Sequence, residues 1–151
     1  MDSTLTKDPD RVEAPPREPM FDHSKSGLRA LVVDDKTILA GLLADLLRVL
    51  GYSVEIASSA FSALDLLRNR QFDVALVDVE LRGTSGFAVI GSASKQGLLR
   101  GSRVIFCSDN RNSGYHNYAA RFPGCSFLWR PFSMEDLVEC LVSPASGPAE
   151  N

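Results

Sequence analysis

Short, largely apolar runs alternate with segments of helical periodicity along the middle of this chain, and that alternation limits the fold more than any other feature. There are five such runs, each five or six residues long, at 28–33, 53–57, 72–77, 103–107 and 125–129. Runs of this length are typical of strands that are covered on both faces of a parallel sheet. We therefore predict an α/β domain with a doubly wound, five-stranded parallel sheet and helices on both faces.

The segments between the runs place apolar residues three or four positions apart, as one face of a helix requires. In the first segment these positions are Ile38, Leu39, Leu42, Leu43, Leu46, Leu47 and Leu50. Gly51 follows them and is a suitable helix stop. Ser59 and Ser133 are placed to cap the second and fifth helices. The third helix (86–96) and the fourth (112–121) are more weakly patterned.

The two ends of the chain differ from its middle in composition. Residues 1–27 carry four prolines among charged side chains, and residues 143–151 are small and polar. Such segments offer little to bury, so we expect a disordered N-terminal arm and a flexible C-terminal tail around one domain at 28–142. Nothing after residue 142 is long enough for an effector domain, so we expect output through contacts with other proteins.

Overall charge and cysteine spacing exclude several classes of function. A net charge of −3 and a pI near 5.3 give no basic field, so direct binding of nucleic acid is not expected. No apolar stretch approaches the roughly 20 residues that span a bilayer, and no signal-peptide core is present, so we expect a cytoplasmic protein without a membrane partner. Cys107, Cys125 and Cys140 lack C-x-x-C spacing and are interpreted as reduced, mostly buried thiols.

Three aspartates close two of the apolar runs: Asp34 and Asp35 follow the first run, and Asp78 follows the third. In a sheet of order 2-1-3-4-5 those two strands are neighbours, and their carboxyl ends meet at one edge. Like charges this close repel one another unless a cation lies among them, and Mg²⁺ prefers oxygen ligands. The pattern therefore predicts a magnesium site. A solvated loop pair or a helix cap is the alternative interpretation of Asp34 and Asp35.

The order of these motifs resembles the receiver domain of bacterial two-component response regulators. The matching motifs are Leu31-Val-Val-Asp-Asp35, Asp78 with Gly86 eight residues later, Ser108 after Val104-Ile-Phe-Cys107, and Arg130-Pro131-Phe132. The resemblance spans essentially the whole core. It implies a flavodoxin-like fold and a signalling role rather than an enzymatic one.

The resemblance also implies the chemistry of the acidic pocket. Asp78 would accept a phosphoryl group from a phosphohistidine on a sensor histidine kinase or a histidine phosphotransfer protein. Mg²⁺ would be held by Asp35, Asp78 and the backbone carbonyl of Glu80, while Asp34 would bind it through water. A monomer or a weak homodimer is expected.

The same resemblance implies roles in phosphoryl binding and in switching for three further residues. Ser108 and Arg130 would bind the phosphoryl group, and Ser108 and Phe127 would form the switch. Movement of these two side chains would change the face formed by helix four, strand five and helix five, where a target protein would dock. The alternatives are that Phe127 is a core aromatic and that Ser108 caps helix four.

Three positions depart from the pattern of the family that the chain resembles. Arg130 stands where lysine is usual, and Asp109 adds a carboxylate directly after the hydroxyl of Ser108. Arg82 stands where proline is common and is expected to loosen the loop after Asp78. Our hypothesis is that phosphorylation survives with altered rates.

The sequence leaves three alternatives to phosphorylation. A pseudo-receiver that binds proteins without phosphate is the main alternative, and Arg130 and Asp109 motivate it. A phosphate-ester hydrolase with Asp34 as nucleophile is disfavoured, because no second carboxylate stands two residues later. Dinucleotide and nucleotide binding are disfavoured because no glycine-rich phosphate loop follows the first run.

Overall fold

The protein is built on a five-stranded parallel sheet in a computed structural model that describes residues 27–111, 114–119, 121–122 and 124–142. The strands are β1 (Arg29–Val33), β2 (Ser53–Ala57), β3 (Val74–Asp78), β4 (Glu80–Leu81), β5 (Thr84–Ser85), β6 (Arg103–Ser108) and β7 (Ser126–Trp129). The sheet has the order β2-β1-β3-β6-β7, which confirms the predicted doubly wound arrangement. β4 and β5 form a separate hairpin. The predicted arm, except Gly27, and the predicted tail lie outside the described residues.

Within the described ranges, five helices cover the sheet on both faces. They are α1 (Thr37–Val49), α2 (Ala60–Asn69), α3 (Gly86–Lys95), α4 (Gly114–Ala119) and α5 (Met134–Val142). α1 and α5 pack on one face, and α2, α3 and α4 pack on the other. The predicted fourth helix extended over 112, 113 and 120, which lie outside the described residues. Within the part of the chain that is described, no helix combines the length and apolar character needed to cross a membrane.

The predicted helix boundaries are confirmed where capping residues define them. Ser59 Oγ accepts a hydrogen bond from Ser62 N–H at the start of α2. Ser133 Oγ accepts one from Asp136 N–H at 3.0 Å, and Asp136 returns it by accepting from Ser133 N–H at 2.9 Å. Gly51 follows α1 with a φ of 103°, a conformation that glycine adopts without strain.

The core lies on both faces of the sheet, so the central strand β3 is buried along its whole length. In β3, Val74 and Leu76 face α1 and α5, whereas Ala75 and Val77 face the opposite layer. This explains why the run lacks the polar alternation of a half-exposed strand.

The predicted buried face of α1 was partly wrong. Ile38 and Leu42 are 78% and 56% exposed. The residues that the helix buries are Ala40, Leu43, Ala44 and Leu47. The sheet therefore contacts a stripe centred on two small alanines, and the leucine-rich flank of the helix remains open to solvent.

All three cysteines are thiols outside any disulfide, as predicted. Cys107 and Cys125 are buried, and Cys140 is partly buried. Burial raises the pKa of Cys107 to about 12 and that of Cys125 to about 11, so both thiols stay protonated and unreactive.

Candidate functional site

The three aspartates that the sequence placed at one sheet edge lie together there. One carboxylate oxygen from each of Asp34, Asp35 and Asp78 lies within 4.8 Å of the others. The pairing of β1 with β3 causes this, because Val33 lies opposite Val77 and each strand continues directly into its carboxylate. Asp34 and Asp78 are each only 1% exposed. Burial of like charges at this distance favours a cation among them.

Two cationic side chains reach into this acidic pocket. Lys36 Nζ lies 2.5 Å from Asp78 Oδ2, 3.3 Å from Asp35 Oδ1 and 3.4 Å from Asp34 Oδ1. Arg130 Nη2 lies 3.2 Å from Asp34 Oδ2, and its Nη1 lies 3.6 Å from Asp78 Oδ1. The guanidinium therefore spans two carboxylates, which the single ammonium of a lysine could not do with the same geometry.

Asp109, the second departure from the family pattern, lies beside Arg130 at the solvent-exposed edge of the acidic pocket. Asp109 is 71% exposed, and its Oδ1 lies 3.9 Å from Arg130 Nη1. Water screens a carboxylate at this exposure, so its repulsion of an incoming phosphate is weakened.

The loop after β3 is tied down rather than loosened. The β4–β5 hairpin turns at Gly83, whose φ is 81°. Within that turn, Arg82 N–H donates a hydrogen bond to Asp35 Oδ2 at 2.5 Å. The expectation that Arg82 loosens the loop was wrong, because a proline there would have no N–H to donate. Arg82 thus fixes one carboxylate of the acidic pocket.

The environment shifts the pKa values of the charged groups in opposite directions. Burial and the charge of Asp34 raise the pKa of Asp78, although Lys36 and Arg130 act against this. Burial also opposes the ionisation of Asp35, but hydrogen bonds from Arg82 N–H and Lys36 outweigh it and lower its pKa. Burial would lower the pKa of Lys36, yet its hydrogen bond to Asp78 and the surrounding carboxylates raise it. Lys36 is therefore an ammonium ion at neutral pH.

The oxygen atoms of the pocket fit a hard divalent cation. Asp78 Oδ1 is buried and accepts no hydrogen bond, which is costly for a charged oxygen. Oxygens of Asp35, Asp78 and the Glu80 carbonyl all approach one point, since Lys36 Nζ contacts each of them. Carboxylate and carbonyl oxygens are the ligands that Mg²⁺ prefers.

Ser108, the predicted switch hydroxyl, is fully buried and is held by the side chain of Glu80. Its Oγ lies 3.3 Å and 3.2 Å from the two carboxylate oxygens of Glu80 and accepts a hydrogen bond from Asn110 N–H at 2.9 Å. Tyr115 Oη, on α4, also donates to Glu80. That hydrogen bond raises the pKa of Tyr115 to about 12. Glu80 therefore joins the predicted switch to helix α4.

Phe127 lies in a cluster of aromatic rings between β7 and helices α3 and α4. Its ring stacks on Trp129 with centroids 4.7 Å apart, and it lies 5.8 Å from Phe106 and 6.3 Å from Phe87. The guanidinium of Arg111 lies 5.6 Å from the centre of the Trp129 ring. Movement of Phe127 would therefore change the surroundings of the one tryptophan in the chain.

Three contributors to the site were not predicted from the sequence: Lys36, the side chain of Glu80, and Tyr115. Lys36 directly follows the aspartate pair, and that adjacency was the available signal. Tyr115 lies in a weakly patterned helix and could not have been connected to Glu80 without the three-dimensional arrangement.

Comparison with known proteins identifies the family. The sequence profile of the response regulator receiver domain matches residues 30–142. The chain belongs to this family. A receiver domain is a signalling module of two-component systems.

The relatives come from plants and microorganisms. Two-component response regulator ARR14 of Arabidopsis thaliana is 35% identical over 122 residues, which are 79% of this chain and 31% of that protein. A CheY-like receiver domain from Methanospirillum hungatei is 28% identical with a TM-score of 0.67, covering 74% of this chain and 88% of that one. A response regulator from Burkholderia pseudomallei, solved with a phosphorylated aspartic acid, calcium ion and citrate, is 26% identical with a TM-score of 0.69, covering 77% and 67%. The receiver domain described here spans less than a third of the Arabidopsis relative.

Proposed function

We propose that this receiver domain accepts a phosphoryl group on Asp78 in a magnesium-dependent reaction. The observation that carries the proposal is the buried Asp78 Oδ1, which accepts no hydrogen bond in a pocket of three carboxylates and two cations. The phosphorylated aspartic acid and calcium ion in the Burkholderia relative support both the acceptor and the divalent ion.

Each residue of the pocket has a defined task in this reaction. An Asp78 oxygen forms a bond to phosphorus while the P–N bond of the phosphohistidine breaks, and its electron pair leaves with the imidazole. Asp35, Asp78 and the Glu80 carbonyl would hold Mg²⁺, with Asp34 acting through water, and the bound ion would supply positive charge to the phosphoryl oxygens. Arg130, which faces Asp34 and Asp78 in the pocket, would donate hydrogen bonds to those oxygens.

The test is the mass of the intact protein after incubation with a small acyl phosphate. We expect the wild type to gain one phosphoryl group with Mg²⁺ and to gain none when the metal is removed with EDTA. Absence of the gain in both conditions would reject phosphorylation in favour of the pseudo-receiver, which binds proteins without phosphate.

Arg130→Lys should accept the phosphoryl group more slowly than the wild type. Lysine keeps the charge, but its single ammonium replaces a guanidinium whose two nitrogens now face two carboxylates and can donate to two phosphoryl oxygens at once. The loss of one charge-assisted hydrogen bond corresponds to roughly a tenfold decrease in rate. The time course of the mass gain measures this, and Arg48→Lys on the exposed side of α1 is the control. Equal rates for Arg130→Lys and wild type would show that the two-pronged guanidinium of Arg130 has no kinetic role.

We also propose that Ser108 and Phe127 transmit the phosphorylated state to the surface formed by α4, β7 and α5. The phosphoryl oxygens would draw the Ser108 hydroxyl from Glu80, and the ring of Phe127 would follow. Because Phe127 stacks on Trp129, phosphorylation of the wild type should change the tryptophan emission. Ser108→Ala should still gain the phosphoryl mass but lose most of this emission change, whereas the exposed Ser94→Ala should behave as the wild type. A full emission change in Ser108→Ala would contradict the switch.

The partners that this proposal requires are a phosphohistidine donor and a target protein. The donor would be a sensor histidine kinase or a histidine phosphotransfer protein, and the target would bind the α4, β7 and α5 surface. Phosphotransfer profiling against the histidine kinases of the host identifies the donor, with Asp78→Asn as the negative control.

A further inference from the structure

We infer that Lys36 is an internal counter-ion that competes with the divalent cation for the acidic pocket. This inference rests on the proposed function, because it concerns the ion that phosphorylation needs. Lys36 Nζ lies 2.5 Å from Asp78 Oδ2, 3.3 Å from Asp35 Oδ1 and 3.4 Å from the Glu80 carbonyl. These are the three groups assigned to Mg²⁺ above, so the ammonium and the metal require the same position.

Two cations cannot share this position. Like charges a few ångströms apart in a partly buried site repel each other strongly, because water screens them only in part. Entry of the metal therefore requires that the ammonium moves away from Asp78.

The charge balance of the pocket favours replacement of the Lys36 ammonium by the divalent ion over binding of both cations together. With Lys36 and Arg130 present, the three carboxylates retain one negative charge. Addition of a divalent ion with both cations in place would leave one positive charge. Departure of Lys36 instead leaves Arg130 and the divalent ion to balance the three carboxylates.

Lys36 is also the cation that can leave. Its side chain is 45% exposed, whereas that of Arg130 is 13% exposed and contacts two buried carboxylates. A lysine has a flexible four-carbon stem, so its ammonium can rotate into solvent without moving the backbone. The metal-free pocket is thus stabilised by a resident cation, and the affinity for the metal is correspondingly reduced.

The test is Lys36→Met, which removes the charge and keeps most of the stem. Isothermal titration calorimetry with MgCl₂ should show a Kd roughly tenfold lower than that of the wild type, because the metal no longer displaces an ammonium. The melting temperature should fall below that of the wild type in EDTA and should rise more on addition of MgCl₂. A purely structural role would lower the melting temperature in both conditions and leave the Kd unchanged.

Two control variants complete the experiment. Lys36→Arg keeps a cation and should retain a Kd closer to that of the wild type than to that of Lys36→Met. Lys95→Met removes an exposed lysine of α3 and should leave the Kd unchanged.

The outcomes separate this inference from the proposed function. Equal Mg²⁺ affinity of wild type and Lys36→Met would overturn the competition while leaving metal-dependent phosphorylation intact. Absence of binding to either protein would overturn both. Binding to Lys36→Met that is tighter than binding to the wild type supports the competition, whether or not the wild type reaches saturation.

Discussion

Asp78→Asn is expected to abolish uptake of the phosphoryl group while the domain stays folded. An amide has nearly the same shape as the carboxylate but is not a nucleophile towards phosphorus. Burial and the charge of Asp34 already raise the pKa of Asp78, so loss of this charge relieves repulsion and offsets the lost contacts with Lys36 and Arg130. The intact mass after incubation with an acyl phosphate and Mg²⁺ measures the loss, and circular dichroism checks the fold.

Asp45→Asn is the matched control for this prediction. Asp45 is exposed on α1, and its contact in the structure is with Arg48 on the same helix. This variant should gain the phosphoryl mass at the rate of the wild type. A mass gain in Asp78→Asn would instead place the acceptor on another carboxylate, and proteolytic mapping would identify it.

Gly86→Ala is expected to be strongly destabilising. A Cβ at this first residue of α3 would overlap the backbone carbonyl oxygen of Asp78 and would lie 2.8 Å from Val77 Cγ1. Both atoms belong to the fully buried strand β3, which cannot move without disturbing its neighbours. Overpacking of this kind costs about 3 kcal/mol. Urea unfolding measures the loss, and displacement of Asp78 should also slow phosphorylation.

Gly91→Ala, in the same helix, should have the opposite effect. The nearest atom to its new Cβ, outside the local backbone, is Phe122 Cζ at 3.8 Å, an ordinary contact. Alanine is the better helix former, so this variant should gain up to about 1 kcal/mol. Equal unfolding free energies for the two variants would show that the close approach of α3 to β3 is not a packing constraint.

The fold could be predicted from the sequence because burial on both sides of the sheet leaves a local signature. β3 is apolar at every position up to Asp78, and the polar residues Ser59 and Ser133 mark the helix starts. The buried face of α1 was harder to predict, because leucines at both edges of its apolar stripe have the same spacing. The face that the helix buries consists of Ala40, Leu43, Ala44 and Leu47. Which face is buried depends on the spacing between helix and sheet, and the periodicity of the sequence does not contain that distance.

The three carboxylates and Arg130 were predicted from the sequence, whereas Lys36 and the N–H of Arg82 were not. Asp34, Asp35 and Asp78 stand at the carboxyl ends of β1 and β3. Because these strands are neighbours in the sheet, the order of the strands alone predicts that the three carboxylates lie together. The contact of Arg82 N–H with Asp35 depends on a hairpin of two-residue strands, which is too short to leave a pattern. The contact of Lys36 with the carboxylates depends on its side-chain conformation, which the sequence does not determine, because the same side chain could have pointed into solvent.

Glu80 faces two ways, with its carbonyl towards the cation position and its carboxylate holding Ser108 and Tyr115. Thermodynamic linkage between two such sites is reciprocal. If a protein that binds α4 and displaces Tyr115 changes the affinity of the pocket for magnesium, magnesium changes the affinity for that protein by the same factor. A magnesium titration repeated in the presence of a candidate ligand of α4 measures this coupling as a change in the Kd of the ion.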